Sequence, residues 1–291
     1  MQDILRNNTE DKQRARAWAF GLGLTAYISI VMMLDGSGGD EVETDMILQM
    51  DPVFLLVIQG IASTFMFIGV PLLFIGIALK VPFKEFFPKV SLTTAGLTVL
   101  ISISFMVVNS AIGEWNMNLD FGNSDFAEWA KRSEEQLKVL TEHLTDFTST
   151  NHFIIALIVV AIIPAIGEEL LFRGLIQNMF AKAFANHHVA IWVTGFIFAA
   201  IHMQFFGVMP RMLLGVLFGY LYHWSGKLSV AMIGHLVNNG FALIALYLAQ
   251  KDVVEVSPKQ MEQSAPWPAV LIFAGISFFL IRRFYKKFNH A

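Results

Sequence analysis

The clearest chemical signal in the sequence is a group of three charges inside an apolar stretch. The stretch reads IPAIGEELLFRG, and its charged residues are Glu168, Glu169 and Arg173. An ionisable group in the hydrocarbon core of a membrane costs about 2.5–3.5 kcal/mol by insertion scales, so such groups usually face a protein interior or a water-filled cavity. We therefore treat these three residues as candidates for chemistry.

Helical spacing predicts different roles for the two glutamates. Glu169 and Arg173 are four residues apart, which favours an ion pair with the acid on the N-terminal side. Glu168 is turned by about 100° around the helix axis, so it need not share that pair, and it suits a general base. Pro164 and Gly167, just before the acids, are predicted to loosen the helix next to the site.

Two later apolar segments carry polar residues that could meet this group. His202 follows Phe198 by one helical turn, and the spacing of His235 and Asn239 lets both reach toward one point. At 1.5 Å per residue, these residues lie roughly 10 to 20 Å inside their segments. Taken singly, each could be a hydrogen-bonding residue between helices. Together with the carboxylates they form a set that packing alone does not require, whereas Phe198 is predicted only to pack and Arg211 to need no special role.

The composition indicates a membrane protein. Of the 291 residues, 55% are hydrophobic and 15% are charged, whereas soluble domains are about one-quarter charged. The chain has no cysteine, which excludes disulfides, a cysteine nucleophile and cysteine-ligated zinc. The formal net charge is -3, and the lack of a basic stripe argues against a nucleic-acid partner.

Apolar windows of about 17–25 residues predict eight transmembrane helices, so the expected fold class is all-α, a polytopic membrane helix bundle. The predicted spans are Ala17–Leu34, Val53–Leu79, Val90–Ile112, Phe153–Phe180, Val189–Phe206, Val208–Tyr222, Leu228–Leu248 and Trp267–Ile281. The first span lacks a clean cleavage site and is expected to be retained. Lysine and arginine are concentrated on the side that holds both termini, which predicts a cytoplasmic N-terminus and C-terminus.

One long polar segment separates the third and fourth spans. Apolar residues recur in it at helical spacing, and Ser124 or Asp125 is placed to cap a helix. These apolar residues are Phe126, Trp129, Leu137, Leu140, Leu144 and Phe147. They predict an amphipathic helix on the outer membrane surface, which either gates the substrate or simply packs over the bundle. The chain accordingly divides into residues 1–112 with three spans, the polar segment 113–152, a core of four spans over 153–250, and a last span with a basic tail over 251–291.

The three polar motifs resemble those of a known family, the CAAX-processing and bacteriocin-processing membrane proteases, also called the CPBP or type 2 prenyl-protease family. The family motif EExxxR corresponds to Glu168–Arg173, FxxxH to Phe198–His202, and HxxxN to His235–Asn239. The order of the motifs and the placement of one motif in each span also match. The resemblance covers residues 150–250, about a third of the chain.

The resemblance implies a glutamic intramembrane endopeptidase. The implied catalytic set is Glu168, Glu169, Arg173, His202, His235 and Asn239. Within this set, Glu168 and His202 would hold and activate a water, His235 and Asn239 would stabilise the oxyanion, and the other two would support the site. Amide hydrolysis requires such parts, because hydrogen-bond donors aimed at the developing charge are typically worth about 3–4 kcal/mol each.

A metal-dependent mechanism is a second possibility. Glu168, His202 and His235 offer the carboxylate and imidazole ligands that zinc accepts, and they leave one position for water. The sequence contains no HExxH motif, however, and Asn239 is a poor zinc ligand. The expectation is therefore a metal-free glutamate mechanism with no cofactor, as the family resemblance implies, with zinc as the alternative.

Two functions of other classes fit the same polar residues. A proton-coupled transporter or channel also buries glutamate and histidine, although no duplicated halves or paired broken helices are visible. A non-catalytic membrane scaffold would use these residues for stability alone. As a protease, the protein is expected to act on a membrane-associated peptide or protein in the lipid bilayer. The compact chain, which lacks an N-terminal targeting sequence, favours a bacterial inner membrane.

Overall fold

The fold is built from helices. A computed structural model describes residues 41–76, 87–254 and 263–289, and no strand occurs within these ranges. In chain order the helices are α1 (Glu41–Leu48), α2 (Pro52–Phe74), α3 (Leu92–Met117), α4 (Asp125–Thr145), α5 (Thr150–Phe184), α6 (His187–Ala200), α7 (Val208–Ser225), α8 (Leu228–Gln250) and α9 (Trp267–Asn289). The all-α membrane bundle predicted from the sequence is confirmed.

Six of the described helices are long and apolar enough to cross a membrane. They are α2, α3, α5, α7 with the turn before it, α8 and α9, while α6 is a shorter apolar helix of 14 residues. These helices correspond to seven of the predicted spans. The remaining span, Ala17–Leu34, lies outside the described residues, so the count of eight stays a prediction.

The fifth predicted span is wrong in its last part. The sequence predicts one helix over Val189–Phe206, but α6 ends at Ala200 and a turn over 201–207 leads into α7. The chain reverses at Met203, whose backbone is left-handed with φ 53°. Hydropathy does not register this turn, because four of its seven residues, Ile201, Met203, Phe205 and Phe206, are large and apolar. His202 consequently lies in the turn and not on a helix.

The amphipathic helix predicted in the polar segment is confirmed as α4. It begins as expected after Ser124, whose side chain accepts a hydrogen bond from the backbone N–H of Ala127 at 3.2 Å. It ends at Thr145, so Phe147 lies beyond it. The helix contacts α1, α2, α5 and the turn before α7. Its position on the outer membrane surface stays a prediction.

Helix α5 carries the charged motif and is irregular around it. Two stretches, Leu157–Ile162 and Leu170–Ile176, have the wider turns of a π-helix, a distortion often found at functional sites. Pro164 and Gly167 lie between these stretches, so the predicted loosening of the helix is confirmed. A Cβ atom added to Gly167 would lie 2.6 Å from the Cβ of Phe67, which shows how closely α2 approaches α5 here.

The core of the bundle lies where α5, α7 and α8 meet. Its fully buried side chains include Leu170, Leu175, Phe218, Leu221, Tyr222, Leu228, Val230 and Ala231. Lipid tails are as apolar as these side chains, so the helices associate through close packing and polar contacts. Helices α6 and α7 also approach each other closely. A Cβ atom on Gly195 would lie 3.1 Å from the Met212 carbonyl oxygen, and one on Gly215 would lie 3.1 Å from the Cα of Gly195.

The contact between α6 and α7 predicts the effect of one added methyl group. Gly195→Ala should lower the free energy of unfolding by about 1–3 kcal/mol, because the new methyl group meets backbone atoms that cannot rotate away. Thermal unfolding of the purified protein in detergent measures this. The matched control is Gly96→Ala on α3, where a Cβ atom meets nothing within 4 Å and should leave stability unchanged or slightly higher. Equal stability of the two variants would contradict the close packing of α6 on α7.

Candidate active site

A carboxylate at the centre of the bundle receives hydrogen bonds from two helices. The Oε1 atom of Glu169 on α5 accepts from Arg173 Nη1 at 2.7 Å and from His235 Nδ1 on α8 at 2.8 Å. All three side chains are buried. Because a carboxylate only accepts, Nδ1 of His235 must carry a proton. The predicted pair of Glu169 with Arg173 is therefore present, and the structure adds His235 to it.

Arg173 extends this group to two more helices. Its Nη2 atom donates to the carbonyl oxygen of Gly215 on α7 at 2.9 Å. Its guanidinium carbon lies 4.8 Å from the ring centre of Phe198 on α6 and 5.7 Å from that of Phe218 on α7, within the range of cation–π attraction. The ring of Phe218 also stacks on His235, with centroids 5.5 Å apart. One arginine thus ties α5 to α6 and α7.

Glu168 remains outside this network, as its position on the helix predicts. Its Oε2 atom lies 3.9 Å from His235 Nε2, which is too long for a direct hydrogen bond but short enough for one oxygen atom to bridge. Among the described residues it has no hydrogen-bond partner, and its side chain is 14% exposed. Glu168 is thus the carboxylate of the motif that is free to take part in chemistry.

The charges of Glu168, Glu169, Arg173 and His235 sum to zero only if one extra proton is bound within the group. Arg173 contributes one positive charge, and Glu168 and Glu169 contribute two negative charges. An uncompensated charge is costly in a low-dielectric interior. A proton held between His235 and Glu168 makes the group neutral.

Asn239 is positioned by a proline on another helix. Pro164 has no backbone N–H, so the carbonyl of Val160, four residues earlier in α5, lacks its usual helical partner. The Nδ2 atom of Asn239 donates to this carbonyl at 3.1 Å and lies 3.2 Å from His235 Nε2. Asn239 therefore sits beside His235, as the spacing of the two residues in α8 predicts.

His202 reaches the same region from the turn after α6. Its Nδ1 atom lies 2.7 Å from the carbonyl oxygen of Phe198, so Nδ1 donates and Nε2 is left as an acceptor in the neutral ring. The ring of Phe198 contacts both imidazoles, with centroid distances of 5.1 Å to His202 and 6.0 Å to His235. Phe198, predicted only to pack, is the neighbour that these two histidines and Arg173 share. No hydrogen bond or ion pair joins His202 to Glu168 among the described residues.

The same geometry bears on the zinc alternative. In the parts of the chain that the structure describes, no three histidine, aspartate or glutamate side chains are grouped so that they could hold a metal ion. The zinc alternative with Glu168, His202 and His235 stays a prediction.

The fold and the site together define an integral membrane protein with a carboxylate–histidine–amide group in its core. Residues 150–241 match the family model described as type II CAAX prenyl endopeptidase Rce1-like, and this segment contains all six candidate residues. The resemblance predicted from the three motifs is therefore confirmed. The match supports membrane endopeptidase activity in general terms.

Two relatives share parts of the chain. One is the uncharacterized protein YpbD of Bacillus subtilis (strain 168), 28% identical over 111 residues, which are 35% of this chain and 54% of YpbD. The other is the membrane-embedded CAAX protease MroQ of Staphylococcus aureus (strain USA300), 32% identical over 90 residues, which are 29% of this chain and 36% of MroQ. The alignments thus span about half of the first relative and about a third of the second. No solved structure gives a significant match.

The buried ion pair predicts a large loss of stability when one partner is removed. Arg173→Ala leaves Glu169 as a buried charge without its cation and should lower the free energy of unfolding by about 3–5 kcal/mol. Chemical unfolding in detergent measures the change. The control is Arg132→Ala, an exposed base on α4, which should change stability by less than about 0.5 kcal/mol. If Arg173→Ala were as stable as this control, the pair would not hold the helices together.

Proposed function

We propose that the protein is an intramembrane endopeptidase that hydrolyses a peptide bond of a membrane-associated peptide or protein. One observation carries the proposal: Glu168 is a carboxylate with no hydrogen-bond partner in the part of the chain that the structure describes, and it lies inside a helix bundle near His235, which in turn lies beside Asn239. The match of this segment to the Rce1-like family supports the same reaction.

Glu168 is the proposed general base. It removes a proton from a water as that water attacks the carbonyl carbon, and it returns the proton to the leaving amine when the C–N bond breaks. The acceptor nitrogen of His202, Nε2, holds the second proton of the same water. These roles follow the family resemblance and agree with the lack of a competing hydrogen bond at Glu168.

His235 and Asn239 are the proposed oxyanion donors. In the structure Nε2 of His235 accepts from Asn239 Nδ2; when a proton is placed on Nε2, His235 keeps its Nδ1–H on Glu169 and offers the Nε2–H to the oxyanion in place of that contact. Asn239 keeps one N–H on the Val160 carbonyl, and its other N–H, which faces His235 Nε2 in the structure, is then released to the oxyanion. Donors held in place before the reaction stabilise the developing charge without reorganisation, and Glu169 with Arg173 provides that support.

Both termini are proposed to lie in the cytoplasm of a bacterium whose inner membrane holds the protein. The charge distribution of the sequence supports this orientation, because lysine and arginine favour the cytoplasmic side. The proposed substrate is a membrane-associated peptide or protein that reaches the site from the lipid bilayer.

Replacing the proposed base should remove activity without unfolding the protein. Glu168→Gln keeps the shape of the side chain but cannot accept the proton, so we expect cleavage of a membrane peptide substrate to fall by about 100-fold or more. Glu142→Gln, an exposed acid on α4, is the control. Cleavage by reconstituted protein measures activity, and thermal unfolding shows that both variants are folded.

The outcome separates the proposed function from its competitors. Full activity in Glu168→Gln would exclude this residue as the base. Loss of folded protein would support a scaffold that uses the site for stability. Proton flux in liposomes that persists in the His235→Ala and Asn239→Ala variants, with no cleavage by the wild type, would support a transporter.

Metal removal distinguishes the two mechanisms of hydrolysis. We expect the rate of cleavage to be unchanged after exhaustive chelation, because the proposed reaction uses only the side chains of the chain itself. Activity of the chelated protein, assayed with and without added zinc, measures this. Loss of activity that zinc alone restores would favour the zinc alternative over the glutamate mechanism.

A further inference from the structure

The turn over 201–207 is the element that positions His202, and its backbone is not part of a regular helix for most of its length. His202 occupies its second position, and Met203 follows with a left-handed φ of 53°. For a residue with a side chain, this conformation costs about 1–2 kcal/mol. Contacts from the surrounding helices must therefore stabilise the turn in this form.

Asn116, at the end of α3, forms hydrogen bonds with both the turn and the start of α7. Its Nδ2 atom donates to the carbonyl oxygen of Phe205 at 3.2 Å, and its Oδ1 atom accepts from the N–H of Met209 at 2.7 Å. The side chain is buried. A single amide thus satisfies one backbone acceptor in the turn and one backbone donor in the first turn of α7.

Arg211 bonds the turn from α7. Its Nη2 atom donates to the side-chain oxygen of Gln204, and its Nη1 atom lies 3.5 Å from the Gln204 carbonyl oxygen. Gln204 is two residues after His202. The planar fork of the arginine therefore engages both the side chain and the backbone of one turn residue, which a lysine could not do.

Glu134 brings α4 into the same network. Its Oε2 atom accepts from the N–H of Phe206 at 3.4 Å. Burial raises the pKa of Glu134 above its usual value of 4.5, and the nearby charge of Arg211 partly offsets this. Two aromatic residues of α4, Phe126 and Trp129, each lie with their ring centres 5.2 Å from that of Phe205. The amphipathic helix thus covers the turn that carries His202.

We propose that Asn116, Glu134 and Arg211 form a clamp on the 201–207 turn and are positioning residues that hold His202 at the reacting water. The inference rests on the proposed function for the role of His202. A displacement of about 1 Å at a catalytic group can lower the rate by about 100-fold. The clamp also gives α4 a part in catalysis. This part differs from the two roles predicted from the sequence, which were to gate the substrate or to pack over the bundle.

Kinetics of two pairs of variants test the clamp. Asn116→Ala is paired with Asn109→Ala, because Asn109 is also a buried asparagine of α3 that donates to an α7 backbone carbonyl, that of Pro210, whereas no hydrogen bond joins it to the turn among the described residues. Glu134→Ala is paired with Glu134→Gln, whose amide oxygen can still accept from Phe206. The clamp predicts that Asn116→Ala and Glu134→Ala lower kcat by about 10- to 100-fold. KM should stay within about twofold, because only the reacting geometry is disturbed, and both paired variants should resemble the wild type.

Hydrogen exchange provides a readout that does not depend on catalysis. Amides of residues 201–207 should exchange faster in Asn116→Ala and Arg211→Gln than in Asn109→Ala, while amides of α8 should not change. Gln204→Ala removes the same Arg211 contact from the turn side and replaces Arg211→Gln if that variant does not fold. Unchanged exchange in the turn would show that the clamp does not exist.

The two proposals fail in different ways. Faster exchange in the turn with unchanged kcat, in a protein whose cleavage still requires Glu168, would overturn the positioning role and leave the peptidase assignment intact. A loss confined to KM would likewise overturn it, since the clamp would then act on substrate binding. Faster exchange in a protein with no peptidase activity would instead remove the proposed function on which the positioning role depends.

Discussion

The structure depends on one carboxylate oxygen, the Oε1 atom of Glu169, shared by Arg173 and His235. Hydrocarbon supplies no hydrophobic force between helices, so specific association in a membrane needs close packing and satisfied polar groups. A buried carboxylate is tolerable only with its partners in place. Because those partners come from α5 and α8, and Arg173 continues to α6 and α7, the cost of burying the charge enforces the arrangement of the bundle. The adjacent Glu168 takes no part in these hydrogen bonds.

Local geometry explains what the sequence could predict about this site. The pairing of Glu169 with Arg173, the separate position of Glu168, and the approach of Asn239 to His235 all follow from helix periodicity over four or five residues. Contacts between distant segments do not follow from it. The bond of His235 to Glu169 joins residues 66 positions apart, and no spacing rule identifies which nitrogen takes part. Phe218 was missed because it is one of 27 phenylalanines and its type carries no signal.

The FxxxH motif shows where helix periodicity misled. Four-residue spacing predicts that Phe198 and His202 share a helical face, whereas the helix ends at Ala200 and the histidine is in a turn. The two side chains remain in contact because the turn keeps Nδ1 of His202 on the Phe198 carbonyl. Arg211 was predicted to need no role because its partners, Gln204 and Glu134, lie in a turn and in a helix that hydropathy does not connect to the site. Apolar composition hides such turns inside a membrane bundle.

Contacts with a single helix, α5, position most of the candidate site. Glu168 belongs to α5, the orientation of His235 is set by Glu169 of α5, and Asn239 is set by the Val160 carbonyl that Pro164 leaves free in α5. Motion of α8 against α5 would have to break these bonds before it could separate the proposed base from the proposed oxyanion donors. Preorganisation of this kind is compatible with the wide, irregular turns of α5. His202 is the exception, because it lies in the turn between α6 and α7. Contacts other than those of α5 must therefore hold that turn in place.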